Sequence, residues 1–165
     1  MRAIASFFFL SALLLAACSP GIDRSKFTDM KKDAAAIAKA LDSMANYGEF
    51  EKLVGELAQH VEEARPKMAT EREKALFSEY HELLIRYQDA AVFWKYKVGS
   101  YRYDWIPKGR VYVDAELRTV VAKYGFKTEQ HVIQLTNHNW ESVSADDLKV
   151  ILEKAKEQYE RVKKG

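Results

Sequence analysis

Residues 70–98 read TEREKALFSEYHELLIRYQDAAVFWKYKV, and in this stretch Leu76, Tyr80, Leu83, Tyr87, Ala90, Trp94 and Val98 follow at intervals of three or four residues. That spacing follows the turn of an α-helix and places all seven side chains on one face. Thr70 followed three residues later by Glu73 forms a capping box, which satisfies two of the backbone N–H groups orphaned at a helix start. The stretch predicts one long helix whose apolar stripe has to be buried, so the fold is built from helices packed around it.

Working toward the N-terminus, residues 49–64 carry Phe50, Leu53, Leu57, Val61 and Ala64 on one face and stop before Pro66, which predicts a second helix. Phe27, Met30, Ala34, Ile37, Leu41 and Met44 mark another over residues 24–46, with Asp23 as its cap and Gly48 as its stop. Toward the C-terminus the period changes. In GSYRYDWIPKGRVYVD, residues 99–114, Tyr101, Tyr103 and Trp105 alternate with Arg102 and Asp104, and Val111 and Val113 alternate with Arg110 and Tyr112. This predicts a short aromatic β-hairpin or an extended loop laid on the helices. Asp114 caps a helix that ends at Tyr124 before Gly125, and Thr128 begins a brief fifth helix to about Thr136. Ser144 caps a sixth, carrying Leu148, Ile151, Leu152, Ala155, Tyr159 and Val162 to the end. The expected fold is mainly α, a bundle of about six helices forming a single domain over residues 23–165.

The first 22 residues have another character. Ala3 to Ala17 is apolar apart from Ser6 and Ser11, preceded by Arg2, and at 15 residues it is shorter than the roughly 20 needed to span a bilayer. This is the layout of an export signal. Leu15-Ala16-Ala17-Cys18 resembles the lipobox of bacterial lipoprotein precursors, and Cys18 is the only cysteine in the chain. The resemblance covers residues 1 to about 19. It implies cleavage after Ala17, diacylglycerol and further acyl chains on Cys18, and anchoring to a membrane without any spanning helix. Ser19 after the cysteine implies, by the family's sorting rule, the outer membrane, with the domain on its periplasmic face. Residues 18–22 then form the lipidated terminus and a tether of only about 15 Å maximal reach. No second cysteine exists to form a disulfide within the chain.

Composition narrows the function. With 26 basic and 24 acidic residues mixed along the chain, no broad positive field exists to hold nucleic acid. The helix, glycine turn and helix expected around Gly125, with Arg118, Lys123 and Lys127 nearby, have the outline of a helix-turn-helix, but export and the near-neutral charge argue against DNA. None of His60, His81, His131 and His138 follows a glutamate by three residues, and antiparallel helices would leave His60 and His81 about 9 Å out of level. No metal site, cofactor motif, nucleophile elbow, phosphate loop or other catalytic residue is expected. The aromatic segment remains. Tyr101, Arg102, Tyr103, Trp105, Lys108, Arg110 and Tyr112 either form a binding surface or close the end of the bundle. The expected function is noncatalytic, an adaptor or scaffold for an envelope protein; the alternatives are a glycan or small-ligand binder and, third, an envelope hydrolase.

Overall fold

A computed structural model describes residues 21–133 and 136–164. The segment expected to be an export signal, and Cys18, lie outside the described residues. In chain order the elements are a 3₁₀ turn Arg24–Phe27, α1 Thr28–Asp42, α2 Tyr47–Ala64, a 3₁₀ turn Arg65–Lys67, α3 Glu71–Ser100, β1 Arg110–Val113, α4 Ala115–Tyr124, β2 Glu129–Ile133, β3 His138–Ser144 and α5 Asp147–Lys164. The fold is mainly helical, with five α-helices and a three-stranded antiparallel sheet in the order β1-β3-β2.

The 30-residue α3 is the axis. Both halves of its capping box form, with the Thr70 hydroxyl accepting from the Glu73 N–H at 3.1 Å and the Glu73 carboxylate accepting from the Thr70 N–H at 3.1 Å. Its predicted stripe is buried at Tyr80, Leu83, Tyr87 and Ala90, and so are Leu84 and Phe93 on a second face. A central helix is covered from several sides, whereas a single stripe describes a helix covered from one. Phe50 of α2 meets Tyr87 edge-on at 6.1 Å, and Phe27 stacks on Tyr80 at 6.0 Å. Rings of this size each contribute about 1.5–3 kcal/mol by leaving water. Gln158 of α5 donates to the Glu79 carbonyl at 3.0 Å, and Lys97 donates to the Ala145 carbonyl at 3.2 Å. The end of α5 therefore lies beside the start of α3, and the two helices are antiparallel.

The first helix stops earlier than expected. Asn46 caps α2 by accepting from the Glu49 N–H at 3.0 Å, which draws Tyr47 and Gly48 into the second helix. The turn out of α1 is made instead at Met44, with φ 58°, while the Ala45 N–H reaches back to the Ala40 carbonyl at 3.0 Å. A left-handed residue closing a helix is ordinarily glycine, because a side chain there crowds the carbonyl. Met44 is 93% exposed and so gains little packing in return. Met44→Gly is expected to stabilise the domain by about 0.5–1 kcal/mol, read as a raised urea midpoint with unchanged slope. An unchanged or lowered midpoint would show that the methionine makes compensating contacts.

Two sequence-based expectations are corrected beyond α3. Of the hairpin or extended loop expected over residues 99–114, the hairpin does not form: α3 runs on to Ser100, residues 101–109 are an irregular loop of turns and bends, and only Arg110–Val113 is a strand. That strand takes its partner from β3, pairing Val111 with Val143 and Tyr112 with Ser142. Pairing was available at longer range because a second run of alternating residues lay in the polar stretch around Trp140. Likewise the fifth helix expected from Thr128 is β2, which pairs with β3 through His131 and Trp140. Asn137, with φ 53°, lies just before β3 in the conformation that asparagine tolerates better than most side chains. With a strand in place of the helix, the helix-turn-helix outline disappears. The sixth helix is α5 and starts at Asp147, since Ser144 belongs to β3 and its hydroxyl accepts from the Asp146 N–H at 3.3 Å.

α4 follows expectation. The Asp114 carboxylate accepts from the Glu116 and Leu117 N–H groups, and Gly125 ends the helix at φ 68° with the Phe126 N–H on the Val121 carbonyl. Tyr96 of α3 donates to Asp114 at 2.5 Å and lies 2.9 Å from Glu116, pinning α4 to the central helix. Burial and these two carboxylates push the Tyr96 phenol well above its ordinary range.

Candidate functional site

Alternation along the strands creates the site. Val111, Val113 and Val143 are buried in the core, so Arg110, Tyr112, Trp140 and Ser142 point to the other side of the sheet. The register adds His131, opposite Trp140, and Glu129, opposite Ser142, to that same face. Residues 101–109 fold across it, held by the buried Ile106.

Trp140 is the hub. His131 stacks on it at 4.1 Å and 20°, Trp105 meets it edge-on at 4.9 Å and 90°, and Tyr112 lies 6.0 Å away. Trp105 also touches Tyr112 at 6.0 Å and 79° and Tyr103 at 5.7 Å and 44°. Exposure rises outward along this chain of rings, from 6% at Trp140 to 48% at Trp105 and 54% at Tyr103, and the neighbouring Tyr101, outside the ring contacts, is 62% exposed. A buried aromatic base thus carries an exposed aromatic ridge. Edge-to-face pairs of this kind add about 0.5–1.5 kcal/mol beyond the area they bury.

The polar groups beside the rings are held in place. Arg110 donates from Nε to the Ser142 hydroxyl at 2.9 Å and from Nη2 to the Ser142 carbonyl at 3.1 Å, and its Nη1 pairs with Glu129 at 3.1 Å. His131 Nε2 lies 2.8 Å from the same hydroxyl. With Arg110 donating to it, the hydroxyl is free to donate its own hydrogen bond to Nε2 of His131. The distance suits a nucleophile and its base, but Ser142 is buried beneath Arg110 and does not face solvent. This network orients the sheet face.

Of the residues expected from sequence, Tyr103, Trp105, Tyr112 and Arg110 come together here. Tyr101, Arg102 and Lys108 are exposed on the turns and make no ion pair or ring contact among the described residues. Sequence spacing does not bring Trp140, His131, Ser142 and Glu129 to the site, because they lie on β2 and β3, where a helix and a polar loop are expected. The signal was the two-residue interval of His138, Trp140 and Ser142 beside the paired asparagines Asn137 and Asn139.

His60 and His81, on the helices, lie apart from this face. His60 Nδ1 meets the buried Asp33 carboxylate at 2.5 Å, joining α1 to α2 and holding the imidazole pKa above its ordinary value, and His81 stacks on Phe77. Among the described residues no group of three histidine, cysteine, aspartate or glutamate side chains could hold a metal ion, and no helix is long and apolar enough to cross a membrane. Apart from this face, a recess of about 670 Å³ lies between α1 and α5 over Tyr87, Trp94 and Leu152. Its rim mixes Lys39, Lys156 and two further lysines with Asp42, Glu153 and Glu160, so it presents no single sign of charge.

No family model, curated protein or solved structure matches this chain. Its function is therefore argued from the sheet face and the ridge it carries.

Proposed function

We propose that this is a lipid-anchored, noncatalytic adaptor, attached to the outer membrane through Cys18 and facing the periplasm, that engages an envelope protein through the ridge Tyr101–Trp105. One observation carries the reading. Three large aromatic side chains, Tyr101, Tyr103 and Trp105, are 48–62% exposed within five residues of the segment after α3, and Trp105 among them is packed edge-on against the buried Trp140. Water contact with that much ring surface is unfavourable, and exposed tyrosine and tryptophan on a rigid base have the character of interface hot spots. Arg102 and Lys108 flank the ridge and supply a polar rim.

Ring geometry favours a protein partner over a saccharide. A sugar platform presents rings near one plane, whereas the planes here cross at 44° between Tyr103 and Trp105 and at 79° between Trp105 and Tyr112. Rings at different angles suit the side chains of an irregular protein surface. The hydrolase reading has the least support, since Ser142 beside His131 is enclosed.

Crosslinking of the native lipoprotein in solubilised envelopes tests the proposal. The expected result is one envelope protein crosslinked at residues 101–105, with capture reduced at least about tenfold in Trp105→Ala and Tyr103→Ala, the equivalent of about 1.4 kcal/mol. Both variants should keep the far-ultraviolet dichroism of the parent. Capture that is unchanged in both folded variants would overturn the assignment of the ridge.

A further inference from the structure

The start of the domain is riveted to one end of the bundle. The Asp23 N–H donates to Glu73 at 3.2 Å, and Lys26 donates to both oxygens of that carboxylate at 2.9 Å. Glu73 also accepts from the Ala69 and Thr70 N–H groups at 2.9 and 3.1 Å. Ile22 packs against the core. A lipid on Cys18 therefore has only the few residues before this rivet as slack, and the end formed by the first turn, the α2–α3 connection and the tail of α5 lies within about 15 Å of the anchor.

Charge is unevenly divided along the bundle. The segments 21–26, 62–74 and 161–164, which meet at this end, carry nine basic and five acidic residues, whereas the rest of the chain carries 17 basic and 19 acidic. Exposed Arg24, Lys67, Arg72, Arg161 and Lys164 make no ion pair among the described residues, against Asp23 and Glu63 on the acidic side. At physiological salt a charge acts over about 8 Å, so only this end responds to a surface near the anchor.

The exposed ridge lies at the opposite end. α3 starts at Glu71 beside the rivet and finishes at Ser100, directly before Tyr101. Thirty helical residues rising about 1.5 Å each separate the two ends by about 45 Å.

We infer that the domain stands end-on to the bilayer, with Arg24, Lys67, Arg72, Arg161 and Lys164 against phospholipid phosphates and the Tyr101–Trp105 ridge held about 45 Å away by α3. This rests on the lipidation of Cys18 proposed above. It narrows the partner to one whose contact surface stands clear of the membrane: a soluble protein, or the part of a membrane protein that projects well beyond the headgroups. A partner embedded at the level of the lipids would not reach the ridge.

The test uses the full lipidated protein in vesicles of phosphatidylethanolamine and phosphatidylglycerol. With Cys18 blocked by lipid, Ala69→Cys and Tyr101→Cys each provide one reactive thiol for a spin label. Collision of each label with a nickel-chelating headgroup lipid reports contact with the surface. The expected result is relaxation at Ala69→Cys at least about tenfold stronger than at Tyr101→Cys, falling severalfold when Lys67→Glu, Arg72→Glu and Lys164→Glu are added together, as weakened attraction to anionic lipid requires. Equal contact at the two positions, or stronger contact at Tyr101→Cys, overturns the orientation. Contact at Ala69→Cys that is indifferent to the three charge reversals overturns the role of the phosphates. Mass spectrometry of the N-terminal peptide separates these failures from failure of the anchor: an unmodified Cys18 removes the anchor and the orientation together, whereas a lipidated Cys18 with equal contacts removes the orientation alone.

Discussion

Trp140→Ala is expected to destabilise the domain by about 3–5 kcal/mol, while Trp105→Ala costs about 1 kcal/mol or less. The two tryptophans touch, yet Trp140 is 6% exposed and Trp105 is 48% exposed. Truncating Trp140 opens a cavity among His131, Tyr112 and Trp105, and it removes the stacked partner of His131 across the β2–β3 pair. Truncating Trp105 mainly removes surface already half in water. Urea unfolding monitored by dichroism measures both, with similar slopes expected if the denatured states are alike. A loss below about 1 kcal/mol for Trp140→Ala would mean that the base of the ridge is not tightly packed, and the argument for a pre-organised binding surface would fail with it.

The second large effect lies at the opposite end. Glu73 is buried, and its carboxylate serves Lys26 and the N–H groups of Asp23, Ala69 and Thr70. The Lys26 ammonium first, and then the N–H groups of Ala69 and Thr70, hold its pKa down from 4.5 to about 2. Because the folded value is the lower one, this group's stabilisation is fully present above pH 4.5 and is lost as pH falls toward 2. Glu73→Gln keeps the shape and loses the charge, leaving the partly buried Lys26 without its partner. The thermal midpoint at neutral pH is expected to fall by about 10 °C, with a shallower decline of stability between pH 4.5 and 2 than in the parent. Limited proteolysis should then cut first around residues 21–27, the segment that Glu73 ties down. A variant with the parent's midpoint and acid profile would show that Lys26 and Asp23 find other partners, and the tether would be looser than argued.

Helices were legible where a single physical pattern decides them. In α3 the apolar interval, the Thr70–Glu73 box and the absence of proline all agree, and the helix forms over Glu71–Ser100. In α4 the Asp114 cap and the Gly125 stop act within a few residues of chain, so local sequence suffices. The end of α1 was less legible, because Gly48 and Asn46 compete as signals and the capping hydrogen bond of Asn46 prevails. The strands were the least legible. β1 has four residues and β2 five, too short for a period to declare itself, and each forms only because β3 lies between them.

The same division runs through the candidate site. The sequence by itself determined that aromatic and basic residues crowd positions 101–112, that the bundle is helical, and that the N-terminal segment has the pattern of a lipoprotein signal, because composition and short-range spacing are properties of neighbouring residues. Only the tertiary structure decided that Trp105 rests on Trp140, that Arg110 and His131 converge on the buried Ser142, and that Glu73 ties Asp23 and Lys26 to the start of α3. Those contacts join residues 35, 32, 11 and about 50 positions apart, and no local propensity encodes them. They form because packing one face of the sheet on the helices leaves Trp140 and its neighbours on the other face, where the chain leaving α3 has to cover them.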